Sequence, residues 1–145
     1  MSGLKPFSSI KLLKETPINK QNVAEAIVKT GQEGESALLK LMTQEPDAKY
    51  KLKGAVISAL AFSDINSTNI DFIVECIFKQ GKNSNPIVRK AAIFAVKVLA
   101  EKADENITYL KKKNIIPFYY DKLKDKDGSI QRVSLNNIYA KNFII

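Results

Sequence analysis

One pattern recurs three times along the chain, and it restricts the possible folds more than any other feature. Its copies begin at Leu52, Val88 and Ile130, which lie 36 and 42 residues apart. Each copy has an apolar residue, a polar or basic residue and small residues, followed by apolar residues at the spacing of one helical face. A repeat period of roughly 20–50 residues is typical of chains built from stacked structural units.

Turn and N-cap residues precede each copy of the pattern. These breaks lie at 45–47, 83–86 and 125–128, and Pro86 suits the first position of a helix. A further helical pattern precedes each break, at 36–42, 70–78 and 115–123. Two more segments, a helix at 23–30 that ends at Gly31 and a short capping helix at 10–13, complete the series. We therefore predict an all-α fold made of helical hairpins.

These segments resemble HEAT and armadillo repeats. The run Val88-Arg89-Lys90-Ala91-Ala92 is similar to the start of the second HEAT helix, and 26–41 is similar to a junction between HEAT units. The run 114–118, followed by 123–127 and 130–132, resembles the armadillo form. The resemblance covers about 20–140. It implies a short right-handed α-solenoid of three to four hairpins, in which each unit is stabilised by stacking on its neighbours.

The chain is interpreted as one domain over 1–145. It has an N-terminal cap segment at 1–19, repeats at 20–140 and an apolar tail at 141–145. The third unit departs from the repeat pattern, because Ser134 and Asn137 stand where small apolar residues are usual. A polar-faced last unit is what a solenoid cap requires. The apolar tail is expected either to fold back on the protein or to meet a partner.

Several kinds of chemistry are excluded by the residues that the chain lacks. It has no histidine or tryptophan and a single cysteine, Cys76, so a histidine base, an internal disulfide and a Cys/His zinc site are ruled out. Glycine-rich phosphate loops are also missing from the sequence. Cys76 is expected to be a small buried hydrophobic residue. We predict a protein that is not an enzyme and that has no cofactor and no metal.

The net charge of +8 is unevenly distributed. Residues 1–72 carry 9 basic and 8 acidic side chains, and residues 73–145 carry 14 and 7. Such an excess attracts acidic partners. Two lysine clusters, 111–113 and 122/124/126, are interleaved with Tyr119, Tyr120 and Tyr139. Solvated helix faces are the plain interpretation of these clusters, but the aromatic residues leave nucleic-acid binding open as an alternative.

A binding face is implied by the resemblance, in which the second helix of each unit lines the concave side. On the middle copy the corresponding stripe is Lys90, Phe94, Lys97 and Glu101, spaced so that all four share one helical face. The aligned positions are Gly54, Ser58 and Ala61 in the first copy, and Arg132, Asn136, Tyr139 and Phe143 in the third. Alternatively, Phe94 packs over the small residues of the first copy. Arg89 is expected to contact an acidic loop residue.

Together these observations predict a non-catalytic protein-binding module, used as a scaffold or adaptor. It would bind a peptide, a helix or an acidic partner surface, alone or as part of a larger assembly, through six residues: Lys90, Phe94, Lys97, Arg132, Asn136 and Tyr139. The alternative is an electrostatic nucleic-acid binder that uses the basic C-terminal half. No run of 18 apolar residues is present, and Met1–Pro6 lacks the apolar run of a signal peptide. We therefore expect a cytoplasmic location and no small-molecule substrate.

Overall fold

The structure is a computed structural model that describes residues 6–17, 19–141 and 143. Within these residues it consists of nine helices and contains no strand, which confirms the all-α prediction. Parts of the expected cap segment and of the apolar tail lie outside the described residues. The helices, in chain order, are α1 Pro6–Glu15, α2 Lys20–Val28, α3 Gln32–Gln44, α4 Tyr50–Leu60, α5 Ile70–Gln80, α6 Pro86–Glu101, α7 Asp104–Lys112, α8 Ile115–Lys122 and α9 Gly128–Ala140.

The helix starts follow the local chemistry of the chain. Pro86 is the first residue of α6, and the Asn85 side chain accepts a hydrogen bond from the Ile87 backbone N–H at 2.8 Å. Asp127 caps α9 in the same way, through the Ser129 backbone N–H at 2.9 Å. These side chains satisfy donors that the first turn of a helix leaves unpaired. The predicted breaks at 83–86 and 125–128 are therefore confirmed.

Two of the nine helices differ from the sequence prediction. The helix α7 was not predicted, because its apolar residues are few and the segment has four charged residues in nine. Only Asn106 and Leu110 of this helix are buried. The expected short capping helix at 10–13 is part of the longer helix α1. In both segments the apolar pattern is weak, so the sequence analysis missed α7 and predicted too short a helix for α1.

Helices α2, α4, α6 and α9 form a row in which each packs against the next. Gly54 of α4 lies beneath α6, where an added Cβ would stand 3.6 Å from Ile87 and 3.9 Å from Ala91. At the opposite ends of the same two helices, the Lys102 Nζ donates to the carbonyls of Ala61 and Ser63 at 3.1 and 2.8 Å. Because start lies beside start and end beside end, α4 and α6 run parallel.

Helices α3, α5 and α8 cover other parts of this row. α3 contacts α4 and α5, α5 contacts α6, and α8 contacts α9. The rings of Phe78 on α5 and Phe118 on α8 stack with centroids 4.7 Å apart. A side chain at Gly81 would crowd this stack, since an added Cβ would stand 2.6 Å from the Phe118 ring. Buried apolar residues from Leu13 to Phe143 form one connected cluster.

Phe143 follows the last helix and is fully buried. Its ring stacks on that of Tyr119 with centroids 5.8 Å apart, and the Lys111 ammonium lies 5.8 Å from the Phe143 centroid. Of the two fates expected for the apolar tail, Phe143 therefore shows the first: it folds back on the protein. Residues Asn142, Ile144 and Ile145 lie outside the described part of the chain. None of the described helices is long and apolar enough to span a membrane.

Candidate functional site

The stripe expected on α6 is exposed. Phe94 is 40% exposed, and the Lys90 and Lys97 side chains on either side of it are 48% and 46% exposed. The opposite face of the helix explains this orientation, because it is apolar and buried: Val88, Ala92, Ala95, Val96 and Leu99. Burying that face necessarily turns the stripe toward solvent.

The charges along this stripe are only loosely paired. The Lys97 Nζ lies 3.7 Å from Glu101 one turn away, and the Lys90 Nζ lies 3.8 Å from the Asp127 carboxylate at the start of α9. Exposed pairs at such distances contribute little to stability. Both ammonium groups therefore remain accessible to acidic groups of a partner.

The corresponding residues of α9 divide into two groups. Arg132, Asn136 and Tyr139 are exposed, and Tyr139 is 66% exposed. Phe143 was assigned to the same stripe, and that assignment is wrong because its ring is buried against Tyr119. The contacts between α6 and α9 bring the two exposed groups onto adjacent helices.

On α4 the expected stripe is not a surface. Gly54, Ser58 and Ala61 are all buried, so the prediction that they line the concave face is wrong. The other explanation of Phe94, packing over these small residues, fails at Gly54, where Ile87 and Ala91 occupy the space. The physical reason is the close parallel packing of α4 and α6, which covers this side of α4.

Arg89 is committed to a structural contact, as expected. Its guanidinium donates to both carboxylate oxygens of Asp125 at 2.9 and 3.1 Å, and to the Asn83 and Ser84 carbonyls at 3.0 Å. The two charged side chains are 8% and 7% exposed. Burial alone would raise the pKa of the Asp125 carboxyl, but hydrogen bonds from the Asp127 backbone N–H and from Arg89 hold that pKa below its usual value.

In each of the two lysine clusters, one lysine makes a polar contact within the protein. Lys122 is buried, and its Nζ donates to the Gly81 carbonyl at the end of α5. In the other cluster, the Lys113 Nζ lies 3.0 Å from the Asp71 carboxylate. Tyr119, one of the expected stacking residues, is fully buried. The remaining lysines of the two clusters are exposed, which agrees with their interpretation as solvated helix faces: Lys111, Lys112, Lys124 and Lys126.

Three lysines that the sequence did not single out as structural close the ends of helices. The Lys20 Nζ donates to the Leu13 and Lys14 carbonyls of α1, Lys102 does so at the end of α4, and Lys122 at the end of α5. Cations there satisfy free carbonyls and oppose the negative end of the helix dipole. Lys102 and Lys122 reach carbonyls about 40 residues away in sequence, a pairing that no local pattern indicates.

An open groove of about 820 Å³ lies between α3 and α5. Phe72, which is 65% exposed, and Cys76 lie along it. Burial raises the pKa of the Cys76 thiol to about 11, so the sulfur is protonated and a weak nucleophile near neutral pH. Within the described residues no three His, Cys, Asp or Glu side chains are grouped so that they could hold a metal ion.

The comparisons with known proteins add no family to this description. No protein-family model matches the sequence, and no curated protein matches it.

Proposed function

We propose that the chain is a short right-handed α-solenoid of HEAT/ARM-like hairpins that works as a non-catalytic protein-binding module. The row α2, α4, α6 and α9 supports this arrangement, because the second helices of stacked hairpins would pack in such a row. The parallel direction of α4 and α6 agrees with it. The binding face would consist of Lys90, Phe94 and Lys97 on α6, together with Arg132, Asn136 and Tyr139 on α9.

The observation that carries this proposal is the exposed Phe94 between two accessible lysines. An aromatic side chain at the centre of an interface is a frequent hot spot, and flanking cations favour acidic groups on the partner. A peptide, a helix or an acidic surface of a cytoplasmic protein would fit this combination. The protonated Cys76 thiol, the pairing of Asp125 with Arg89 and the capping of α9 by Asp127 favour binding over catalysis.

The alternative is electrostatic binding of nucleic acid by the basic C-terminal half. Burial of Tyr119 and Lys122 weakens it, because both were part of the surface that would stack on bases and contact phosphates. Salt separates the two functions. Binding to phosphates falls steeply with ionic strength through counterion release, whereas an interface anchored by an aromatic ring falls less.

The test compares wild type with Phe94→Asp in affinity capture from native lysate at low and high salt. Phe72→Asp is the matched control, because Phe72 is also exposed but lies on α5. We expect one protein to be retained at high salt by wild type and by Phe72→Asp, and to be lost with Phe94→Asp. Equal recovery with both variants contradicts the proposal. Nucleic acid that disappears at high salt, with Phe94 irrelevant, supports the alternative.

A further inference from the structure

One pocket of the protein is lined by lysines that are far apart in the sequence. It has a volume of about 340 Å³ and lies where α1 ends and where α2 and α4 begin. Of the seven described residues that line it, four are lysines and none is acidic: Lys14, Lys20, Ala48, Lys49, Tyr50, Lys51 and Leu52. Residues 1–72 have 9 basic and 8 acidic side chains, yet four of those nine basic side chains meet at this pocket.

Only one of the four lysines has a carboxylate partner among the described residues. The Lys14 Nζ lies 3.1 Å from the Glu45 carboxylate. The Lys20 Nζ donates to two carbonyls at the end of α1, at 3.0 and 3.2 Å, and neutral carbonyls leave its positive charge in place. Lys49 and Lys51 are exposed, and their ammonium groups have no partner within the described part of the chain. Three cations of the pocket are therefore not paired with a carboxylate, and cations grouped in this way attract anions.

We propose that this pocket binds a compact group that carries two or more phosphates, either free or as the headgroup of a lipid. A phosphomonoester has a charge of about −1.5 to −2 at pH 7, so two of them balance the three unpaired lysines. A lysine ammonium suits phosphate as a compact charge with three donors. Tyr50 and the buried Leu52 give the pocket wall apolar atoms, against which the carbon skeleton of the ligand can lie.

This site is separate from the proposed protein-binding face, with which it shares no residue. That face lies on α6 and α9, whereas α1, α2 and α4 form the pocket. The sequence analysis did not predict the pocket, because its lysines form no single run. The packing of α2 against α1 and α4 brings them together. A failed test of either site therefore leaves the other proposal standing.

The test is calorimetric titration of the purified full chain with inositol trisphosphate and, separately, with inorganic phosphate. We expect saturable binding of one trisphosphate per chain, at least about tenfold tighter than inorganic phosphate and weaker at high salt. The double variant Lys49→Gln and Lys51→Gln should weaken it at least about tenfold. Lys124→Gln with Lys126→Gln is the matched control, because it removes two exposed lysines at the same spacing from another segment and should leave binding unchanged.

Cosedimentation with vesicles that contain phosphatidylinositol bisphosphate identifies the source of the phosphates. Binding to the soluble trisphosphate and to these vesicles, both dependent on Lys49 and Lys51, supports a lipid headgroup. Binding to the soluble trisphosphate alone supports a free ligand. Circular dichroism should show that each double variant keeps the wild-type fold, because all four substituted lysines are exposed.

Four results would overturn the proposal. The first is a titration without saturable binding of the trisphosphate, and the second is an equal loss in the two double variants, which would mean that binding follows net charge. The third is inorganic phosphate that binds as tightly as the trisphosphate. The fourth is single-stranded DNA that binds more tightly than the trisphosphate through Lys49 and Lys51, because the pocket would then be part of a nucleic-acid surface.

Discussion

Helices α4 and α9 both pack on α6, but different chemistry attaches them. Against α4 the contact is close and apolar, with Ile87 and Ala91 of α6 beside Gly54. Against α9 the contact includes the buried ion pair between Arg89 and Asp125. Beyond its other end, α9 is followed by Phe143, which packs on Tyr119 of α8. Apolar packing between helices therefore joins α4 to α6, whereas contacts just before and just after α9 hold that helix in place.

The two junctions also show how one position of the recurring pattern changes its role. Lys53 and Arg89 are 36 residues apart and aligned. Lys53 pairs backward with Asp47 at 2.8 Å, in the loop before its own helix, and the Asp47 side chain is 71% exposed. Arg89 pairs forward with Asp125, which precedes α9 and is 7% exposed. Only the second pair connects two copies of the recurring pattern, so it helps to hold α9 against α6.

The largest effect is expected from breaking the pair that attaches α9. Arg89→Leu leaves the buried Asp125 carboxylate and two loop carbonyls without their donor, and should lower the free energy of unfolding by about 3–5 kcal/mol. Urea unfolding measures the loss. Lys53→Leu is the matched change at the α4 junction. Its loss should be much smaller because water solvates the exposed Asp47, and equal losses would remove the distinction between the two junctions.

The attachment beyond the end of α9 should be nearly as important. Phe143→Ala removes a fully buried ring and should lower the free energy of unfolding by about 3 kcal/mol. Phe94→Ala removes an exposed ring from the proposed binding face and should change the free energy of unfolding by less than about 0.5 kcal/mol. Thermal or urea unfolding of the two variants, with wild type alongside, measures both values. Similar losses would contradict the burial of Phe143.

Low pH should remove the stabilisation that the Asp125 carboxylate gives to the junction between α6 and α9. The pKa of the Asp125 carboxyl is lower in the folded protein than its ordinary value of 3.8, so its stabilising effect is complete above that value. The effect is lost as the pH falls from there through the folded pKa. Asp125→Asn should therefore cost about 2 kcal/mol at pH 7 and progressively less below pH 3.8. Unfolding of both proteins across this range tests it, and a constant difference would contradict the prediction.

The smallest effect is expected at the apolar junction. Gly54→Ala adds a Cβ at ordinary contact distances from Ile87 and Ala91, and reduces the freedom of the unfolded chain. It should raise the free energy of unfolding by about 0.5–1 kcal/mol. Gly34→Ala, also within a helix, is the control that should destabilise, because its Cβ would stand 1.9 Å from the Ile27 carbonyl oxygen. Chemical unfolding of both variants decides whether Gly54 marks a close but unstrained contact.

The sequence predicted the exposure of candidate site residues only where that exposure depends on their own helix. Lys90, Phe94 and Lys97 were predicted to share one face of α6, and the apolar opposite side of the helix leaves that face exposed. Helical spacing alone is sufficient for that inference. Gly54, Ser58 and Ala61 have the same spacing but are buried. Aligning the copies shows which residues share a helical face, but it does not show whether another helix packs on that face. The expected pairing of Arg89 with an acidic loop residue was confirmed in Asp125.

By itself the sequence determined where most of the helices begin and end, because those boundaries depend on local backbone chemistry. Pro86 after Asn85, the Asp127 cap and Gly31, with φ of 105°, act within a few residues. Only the tertiary structure decided that Lys122 and Phe143 are buried, that Ser134 faces inward and that Leu135 faces out. A helical period tells which side chains share a face, but the neighbouring helices determine which face loses its water.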